Sequence, residues 1–230
     1  MHFMVVAHFL KHLSRCLKEK NGEELEAGWV LSVVQSYREK WAGVGSRLLD
    51  VLNGQPRLLG VSGILLHSNS GTVQGLLPDV NFQGGRPKIF QTASFPQREG
   101  LEQAISLQNA GFEVNVINEL AINRYLGEIG ALVLGADIVL KEQFYNKVGS
   151  FWLSYRCYHE GIPVFVVADS RKKLNARPDK GFFRKLETAN HKSPGEITGG
   201  HAEIKNVNNP YFEWAPLEYV EKVVTDRGGH

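Results

Sequence analysis

The feature that most constrains this chain is a strand–helix rhythm that sets in near residue 60. Apolar runs rich in β-branched residues occur at 61–66, 88–91, 113–117, 131–134 and 163–168, and helical apolar spacing occupies 98–110, 119–127 and 147–160 between them. The Ala110-Gly111 and Glu160-Gly161 pairs place a glycine just past two helix ends, where a left-handed residue closes the last turn. Strands joined through helices by short links pair in parallel, in a sheet covered on both faces. The expected fold is α/β, a Rossmann-like and mostly parallel sheet of about six strands. Ligands of such sheets sit beyond the carboxyl ends of the strands, so the loops there carry the functional content.

Ahead of this rhythm the chain reads as helical, which divides it into a helical segment over 1–56 and a Rossmann-like domain over 57–230. Val5, Phe9, Leu13, Cys16 and Leu17 recur at helical spacing, as do Leu25, Trp29, Val33 and Tyr37 after an Asn21-Gly22 break. A third short helix over 41–52 ends at Asn53-Gly54. Residues 169–209 break the rhythm: they are polar, contain Pro178, Pro194 and Gly199-Gly200, and read as a long excursion. Leu217, Val220, Val223 and Val224 predict a closing helix over 216–227.

With 230 residues, 43% hydrophobic and 22% charged, the chain has ample material for a core. A net charge of +2 is too small to indicate a phosphate-backbone binder. The basic run from Arg171 to Lys185 lacks interleaved aromatic residues, so nucleic acid is not the expected partner. That run reads as a solvated face or as a flap over a phosphorylated ligand. Cys16 and Cys157 are too far apart for a disulfide framework or a metal-ligand spacing, which suits a reducing, cytoplasmic setting. Cys157 lies among Trp152, Leu153 and Tyr158 and is expected to be packed and inert. His8 and His12 share a helix face, but no third ligand is nearby, so neither metal nor cofactor is expected. The apolar first ten residues are half a bilayer span, lack a basic leader, and read as the start of a core helix.

The chemistry gathers in two strand-end loops. His67-Ser68-Asn69-Ser70-Gly71 leads from a strand into a helix and offers small polar side chains beside a glycine, the makings of an anion cradle. Asp137 follows another strand, nine residues before Asn146-Lys147, which reads as a helix start and would put a carboxylate and an ammonium on one rim. The alternatives are a capped turn for the first loop and a surface ion pair for the second. A Ser68–His67 couple would need a turn between the two, because neighbouring strand residues face opposite ways.

Taken together, these segments resemble one family, which unites the regulatory subunits of translation initiation factor 2B with methylthioribose-1-phosphate and ribose-1,5-bisphosphate isomerases. The similarity runs over about 60–228. It rests on Gly135-Ala136-Asp137, Asn146-Lys147-Val148-Gly149, Gly161-Ile162-Pro163, the loop at 67–71, and Asn209-Pro210 with Glu213 near the end. The resemblance implies Asp137 as a proton carrier on a sugar hydroxyl, and His67, Asn69, Ser70, Gly71, Asn146 and Lys147 as contacts to a phosphosugar. It also implies a homodimer formed through the α/β domain.

The departures are as informative. Ser68 stands where the isomerases carry a catalytic cysteine, and a serine hydroxyl cannot carry that proton traffic without a separate base. Phe95 stands in place of an arginine that would clamp a phosphate or hydroxyl. The helical segment is short, without the family's Arg/Gly phosphate loop, and the Val166-Val167-Ala168-Asp169-Ser170 strand is similar to that of the regulatory subunits. Three readings follow. The first is a regulatory or non-catalytic protein binding a sugar phosphate or nucleotide monophosphate. The second is an aldose–ketose isomerase using Asp137, with Ser68 in an altered role. The third is an interaction subunit with an unused pocket.

Overall fold

The computed structural model describes residues 3–19, 27–175, 178–201 and 203–229; the Asn21-Gly22 break, Leu25 and Arg177 lie outside them. Four helices come first: α1 (Phe3–Glu19), α2 (Ala27–Trp41), α3 (Val44–Asn53) and α4 (Pro56–Leu59). Then follow β1 (Gly63–Leu66), α5 (Gly71–Leu76), β2 (Lys88–Thr92), α6 (Gly100–Asn109), β3 (Val114–Ile117) and β4 (Ala131–Gly135). Next come β5 (Ile138–Val139), β6 (Gln143–Lys147), α7 (Ser150–His159), β7 (Val164–Val167), α8 (Lys180–Asn190) and α9 (Gly195–Thr198). The chain closes with β8 (Phe212–Pro216), β9 (Lys222–Thr225) and β10 (Gly228–Gly229).

The main sheet runs β10-β9-β7-β4-β1-β2-β3. Every neighbouring pair is parallel except the two-residue edge pair β9–β10. Alternate residues of one strand feed opposite layers. Ile64 and Leu66 pack with Ile89, Val133, Phe165 and the Leu48 and Leu52 face of α3, while Leu65 packs with Phe90, Leu132, Leu134, Val166 and Leu153 of α7. Burial on both faces is why these strands read as unbroken apolar runs, each fully buried Leu or Ile contributing about 2 kcal/mol. Cys157 is fully buried in the second layer, and burial pushes its thiol up to about 12, so it is inert as expected.

Four expectations are corrected. The closing helix is absent: 216–227 holds a short 3-10 turn at Leu217–Tyr219 and then β9, whose Val223 and Val224 pair beside Val166 and Val167 of β7. A short β-branched run carries no reliable period, and an open parallel edge captured it. Asn146 and Lys147 do not open a helix either. They end β6, and α7 begins at Ser150 after Gly149, whose φ of 104° turns the chain. Residues 119–124 form a 3-10 helix capped by Asn118, not a longer helix. The excursion over 169–209 is structured by α8, α9 and a 3-10 turn. A second, antiparallel sheet β5-β6-β8 went unforeseen.

The basic run is only partly a solvated face. Arg171 is paired with Asp169 and lies 4.7 Å from the Trp41 ring centroid, with Arg227 on that ring at 5.9 Å. His8 meets the same indole edge-on at 5.1 Å and bonds the Tyr37 hydroxyl at 3.0 Å, so α1 and α2 are docked on the strand-end loop after β7.

Candidate functional site

The strand order decides where the site falls. From β1 the chain builds outward through β2 and β3, then crosses back to place β4 on the other side of β1. The carboxyl ends of β1 and β4 therefore flank the switch point of the sheet, the crevice where open α/β sheets hold ligands. The β1 loop supplies His67 to Gly71, and the β4 loop supplies Gly135, Ala136 and Asp137. A cavity of about 620 Å3 lies between them, lined by all of these together with Asn146, Glu99, Gln97, Lys172, Lys192 and Tyr211. Gly135 makes the approach of the two loops feasible: a Cβ there would fall 2.3 Å from Ser70 Oγ.

The serine turn is strained and tied down. Ser68 has φ 65° and Ser94, facing it from the loop after β2, has φ 66°. A left-handed conformation costs an L-residue about 1–2 kcal/mol. Ser68 N–H donates to Ser94 Oγ at 2.7 Å and Ser70 N–H to Gln103 Oε1 at 2.7 Å, which offset that cost. Gln103 Nε2 donates to Gln91 Oε1 at 2.9 Å, and Gln91 Nε2 in turn donates to Ser68 O at 3.0 Å. Two N–H groups of the expected cradle are thus consumed internally, and the Ser70 hydroxyl caps α5 by accepting from Val73 N–H. What the turn leaves facing the cavity is its side chains and the start of α5 at Gly71 and Thr72, where backbone N–H groups have no intrahelical acceptor.

His67 is a buried strut rather than a base for Ser68. Its Nε2 lies 2.9 Å from the Val148 carbonyl and must donate to it, so Nδ1, 2.7 Å from Thr92 Oγ1, accepts the threonine hydroxyl. Burial lowers its pKa and holds it neutral. The turn at Ser68 that a Ser–His couple requires does exist, but both ring nitrogens are already engaged.

The Ser68 hydroxyl instead donates to a carboxylate, Glu99, whose Oε1 accepts it at 3.3 Å. The same oxygen lies 2.9 Å from Lys147 Nζ. Lys147 is 1% exposed, and its ammonium also lies 4.1 Å from the Tyr211 ring centroid. It stands behind the cavity wall, with Glu99 and Tyr211 in front of it. Neither Lys147 Nζ nor Glu99 Oε2 has a well-formed hydrogen bond among the described residues. A desolvated, under-satisfied ion pair of this kind is costly unless something at the site completes it.

The remaining wall is equally built. Lys172 Nζ donates to the Ala136 carbonyl at 2.7 Å. Asn146 Nδ2 donates to Ser150 Oγ at 2.9 Å. Asn190 of α8 accepts from Tyr211 N–H at 2.9 Å and Phe212 N–H at 2.7 Å, fixing the start of β8 against the cavity. Glu213 reaches no ligand space: its Oε1 accepts Gly149 N–H and Phe151 N–H, each at 2.8 Å, and so caps α7. Phe95 is outside the lining, at 44% exposure.

Of the residues singled out from sequence, His67, Ser68, Asn69, Ser70, Gly71, Asp137 and Asn146 line one cavity, and Lys147 sits immediately behind it. Glu99, Tyr211 and the Gln91–Gln103 pair were missed, while Lys172 was read only as one member of the basic run over a phosphorylated ligand. Gln91 left a trace, a polar residue inside an apolar strand. Glu99 and Tyr211 left none, because their relevance is a matter of which loops meet. Among the described residues no cluster of metal-ligating side chains occurs, and no helix is long and apolar enough to cross a membrane.

A parallel sheet with a polar, small-molecule-sized cavity at its switch point defines a Rossmann-like fold with a candidate site where such folds hold ligands. The chain belongs to the initiation factor 2 subunit family, whose model matches residues 53–230. It is 26% identical over 223 residues to a translation initiation factor eIF-2B subunit 2-like protein of Pyrococcus horikoshii, covering 95% of this chain and 74% of that one. It is 25% identical over 204 residues to a ribose 1,5-bisphosphate isomerase of Archaeoglobus fulgidus, covering 86% of this chain and 63% of that one. A 5-methylthioribose 1-phosphate isomerase structure from P. horikoshii superposes with a TM-score of 0.75 at 24% identity, covering 96% and 65% of the two chains. The family thus includes isomerases and initiation factor subunits, and the chain spans roughly two thirds to three quarters of the length of these three.

Proposed function

We propose that this protein binds a sugar phosphate or nucleotide monophosphate in the switch-point cavity and acts as a regulatory-type member of its family rather than as a cysteine-dependent isomerase. The observation that carries this reading is the buried Lys147 ammonium, set behind a 620 Å3 polar cavity with unused hydrogen-bonding capacity. The carboxylates of Asp137 and Glu99 suit sugar hydroxyls as acceptors. Lys192 and the first turn of α5 suit a phosphate. Ser68 in place of a thiol argues against the isomerase chemistry, as does His67, which is occupied on both nitrogens.

Ligand binding is read from thermal melting against ribose 5-phosphate and nucleoside monophosphates. At a hundred times the dissociation constant the expected stabilisation is about 2.7 kcal/mol, a rise of about 5–10 °C for a chain of this size. A flat response across the panel removes the proposal. A second reading, aldose–ketose isomerisation with Asp137 as proton carrier, is favoured by one contact: the Ser68 hydroxyl has a carboxylate, Glu99, as its neighbour. It requires turnover of a ribose phosphate that is lost in Asp137→Asn, and equal rates would exclude Asp137 from the chemistry.

The protein is further proposed to work in the cytoplasm as a homodimer. Phe151, Trp152, Tyr155 and Tyr158 on α7 are 38–52% exposed and cluster with Tyr219, an apolar surface that a partner would cover. Light scattering is expected to give twice the chain mass, reverting to a monomer in Trp152→Glu with Tyr155→Glu. A monomeric parent protein would end the dimer reading and leave the interaction-subunit alternative to be tested by pull-down.

A further inference from the structure

One buried nucleophile in the cavity has no role in the reading above. Lys172 follows β7 in a 3-10 turn and is 7% exposed, yet it lines the cavity between the β4 and β7 loops. Its Nζ donates a hydrogen bond to the Ala136 carbonyl at 2.7 Å, one residue before Asp137. We propose that the Lys172 amine forms a reversible imine with the carbonyl carbon of an open-chain phosphosugar held in this cavity. This rests on the ligand class proposed above and adds a covalent step to it.

Lysines that serve as carbonyl nucleophiles are ones whose ammonium form is penalised, by desolvation or by a neighbouring cation. Both conditions hold here. Burial is the largest influence and lowers the Lys172 pKa, and Arg171 lowers it further. Asp137 and Asp169 oppose them without reversing the direction. Asp169 is itself engaged by Arg171, whose Nε donates to both of its oxygens at 2.9 and 3.0 Å, so its pull on Lys172 is partly spent.

The step balances within the site. The neutral nitrogen's lone pair attacks the carbonyl carbon, the π pair moves to oxygen, and a proton passes from the new ammonium to that oxygen, giving a neutral carbinolamine. A second protonation releases that oxygen as water and leaves a protonated imine. The net change is one proton gained and one water lost, with no oxidant or reductant. Asp137, on the same cavity wall, is the group placed to relay the protons. The protonated imine keeps one N–H, so the hydrogen bond to the Ala136 carbonyl survives with its acceptor now facing a cation, which strengthens it.

The test uses the full chain with D-ribose 5-phosphate and sodium cyanoborohydride, followed by peptide mapping. Ribitol 5-phosphate, which has the phosphate and hydroxyls but no carbonyl, serves as competitor and as a separate binding probe by thermal melting. The expected result is an adduct of one sugar phosphate less one oxygen on Lys172, suppressed by excess ribitol 5-phosphate and lost in a folded Lys172→Arg. If ribitol 5-phosphate raises the melting point while reduction labels only surface lysines, uncompeted, the imine is refuted and the binding reading stands. If ribitol 5-phosphate neither stabilises nor competes, both fall.

Discussion

Lys147→Met is expected to lower the melting temperature by about 10 °C and to abolish the ligand-induced shift. Removing one member of a desolvated ion pair strands the other, at about 3–5 kcal/mol. Glu99, the stranded partner, has a side chain 21% exposed and recovers some hydration, which favours the lower end, about 3 kcal/mol. At 2–4 °C per kcal/mol for a domain of this size, that corresponds to about 10 °C. The double variant Lys147→Met with Glu99→Gln removes the stranded charge and should regain most of the stability without regaining ligand binding. Stability would then depend on the pair, and binding on the ammonium alone. A double variant as unstable as the single one would show that the two groups are not coupled and that Lys147 supports the fold through its stem and the Tyr211 ring instead.

The second large effect is in pH. His67 is fully buried and neutral, and its folded pKa lies below the ordinary 6.5 because of burial, with Lys147 acting in the same direction and Glu119 and Glu99 opposing. In the unfolded chain the imidazole takes up a proton near 6.5, so below that value the unfolded state binds more protons than the folded one. His67 therefore contributes stability that is fully present above pH 6.5 and is lost as the pH falls toward the folded pKa. The slope is at most about 1.4 kcal/mol per pH unit. Urea midpoints between pH 7.5 and 5 should fall more steeply for the native protein than for His67→Asn. The variant starts lower, because the Val148 carbonyl and the Thr92 hydroxyl lose a shared partner, by about 1–3 kcal/mol for an unsatisfied buried group. Parallel pH profiles would show that His67 is not held neutral and would reopen it as a titrating participant at the site.

How far the sequence alone reached can be judged from particular elements. The strands β1, β4 and β7 were plainest because a strand buried on both faces is apolar at every position, while β2 and the edge strand β3 carry polar residues and were read from their β-branched and aromatic content. β9 was not visible: Val220, Val223 and Val224 satisfy a helical template as well as a strand, and only the unpaired edge of β7 settles the choice. The short sheet β5-β6-β8 escaped because its strands lie far apart in the chain, at 138–147 and 212–216. The loop at 67–71 was found because it packs small polar residues and a glycine into one strand end. Its supports, Gln91 and Gln103, were not, since a buried glutamine looks like any other until its partners are known.

The sequence by itself determined the α/β class, the carboxyl-end position of the candidate loops and their polar chemistry. These follow from side-chain period and residue type, which are local properties. Only the tertiary structure decided that β1 and β4 are neighbours, that the sheet reverses between them, and that Glu99, Lys172 and Tyr211 join Asp137 around one cavity. Strand order is set by long-range burial and edge pairing, and no local pattern encodes which two loops those forces will bring face to face.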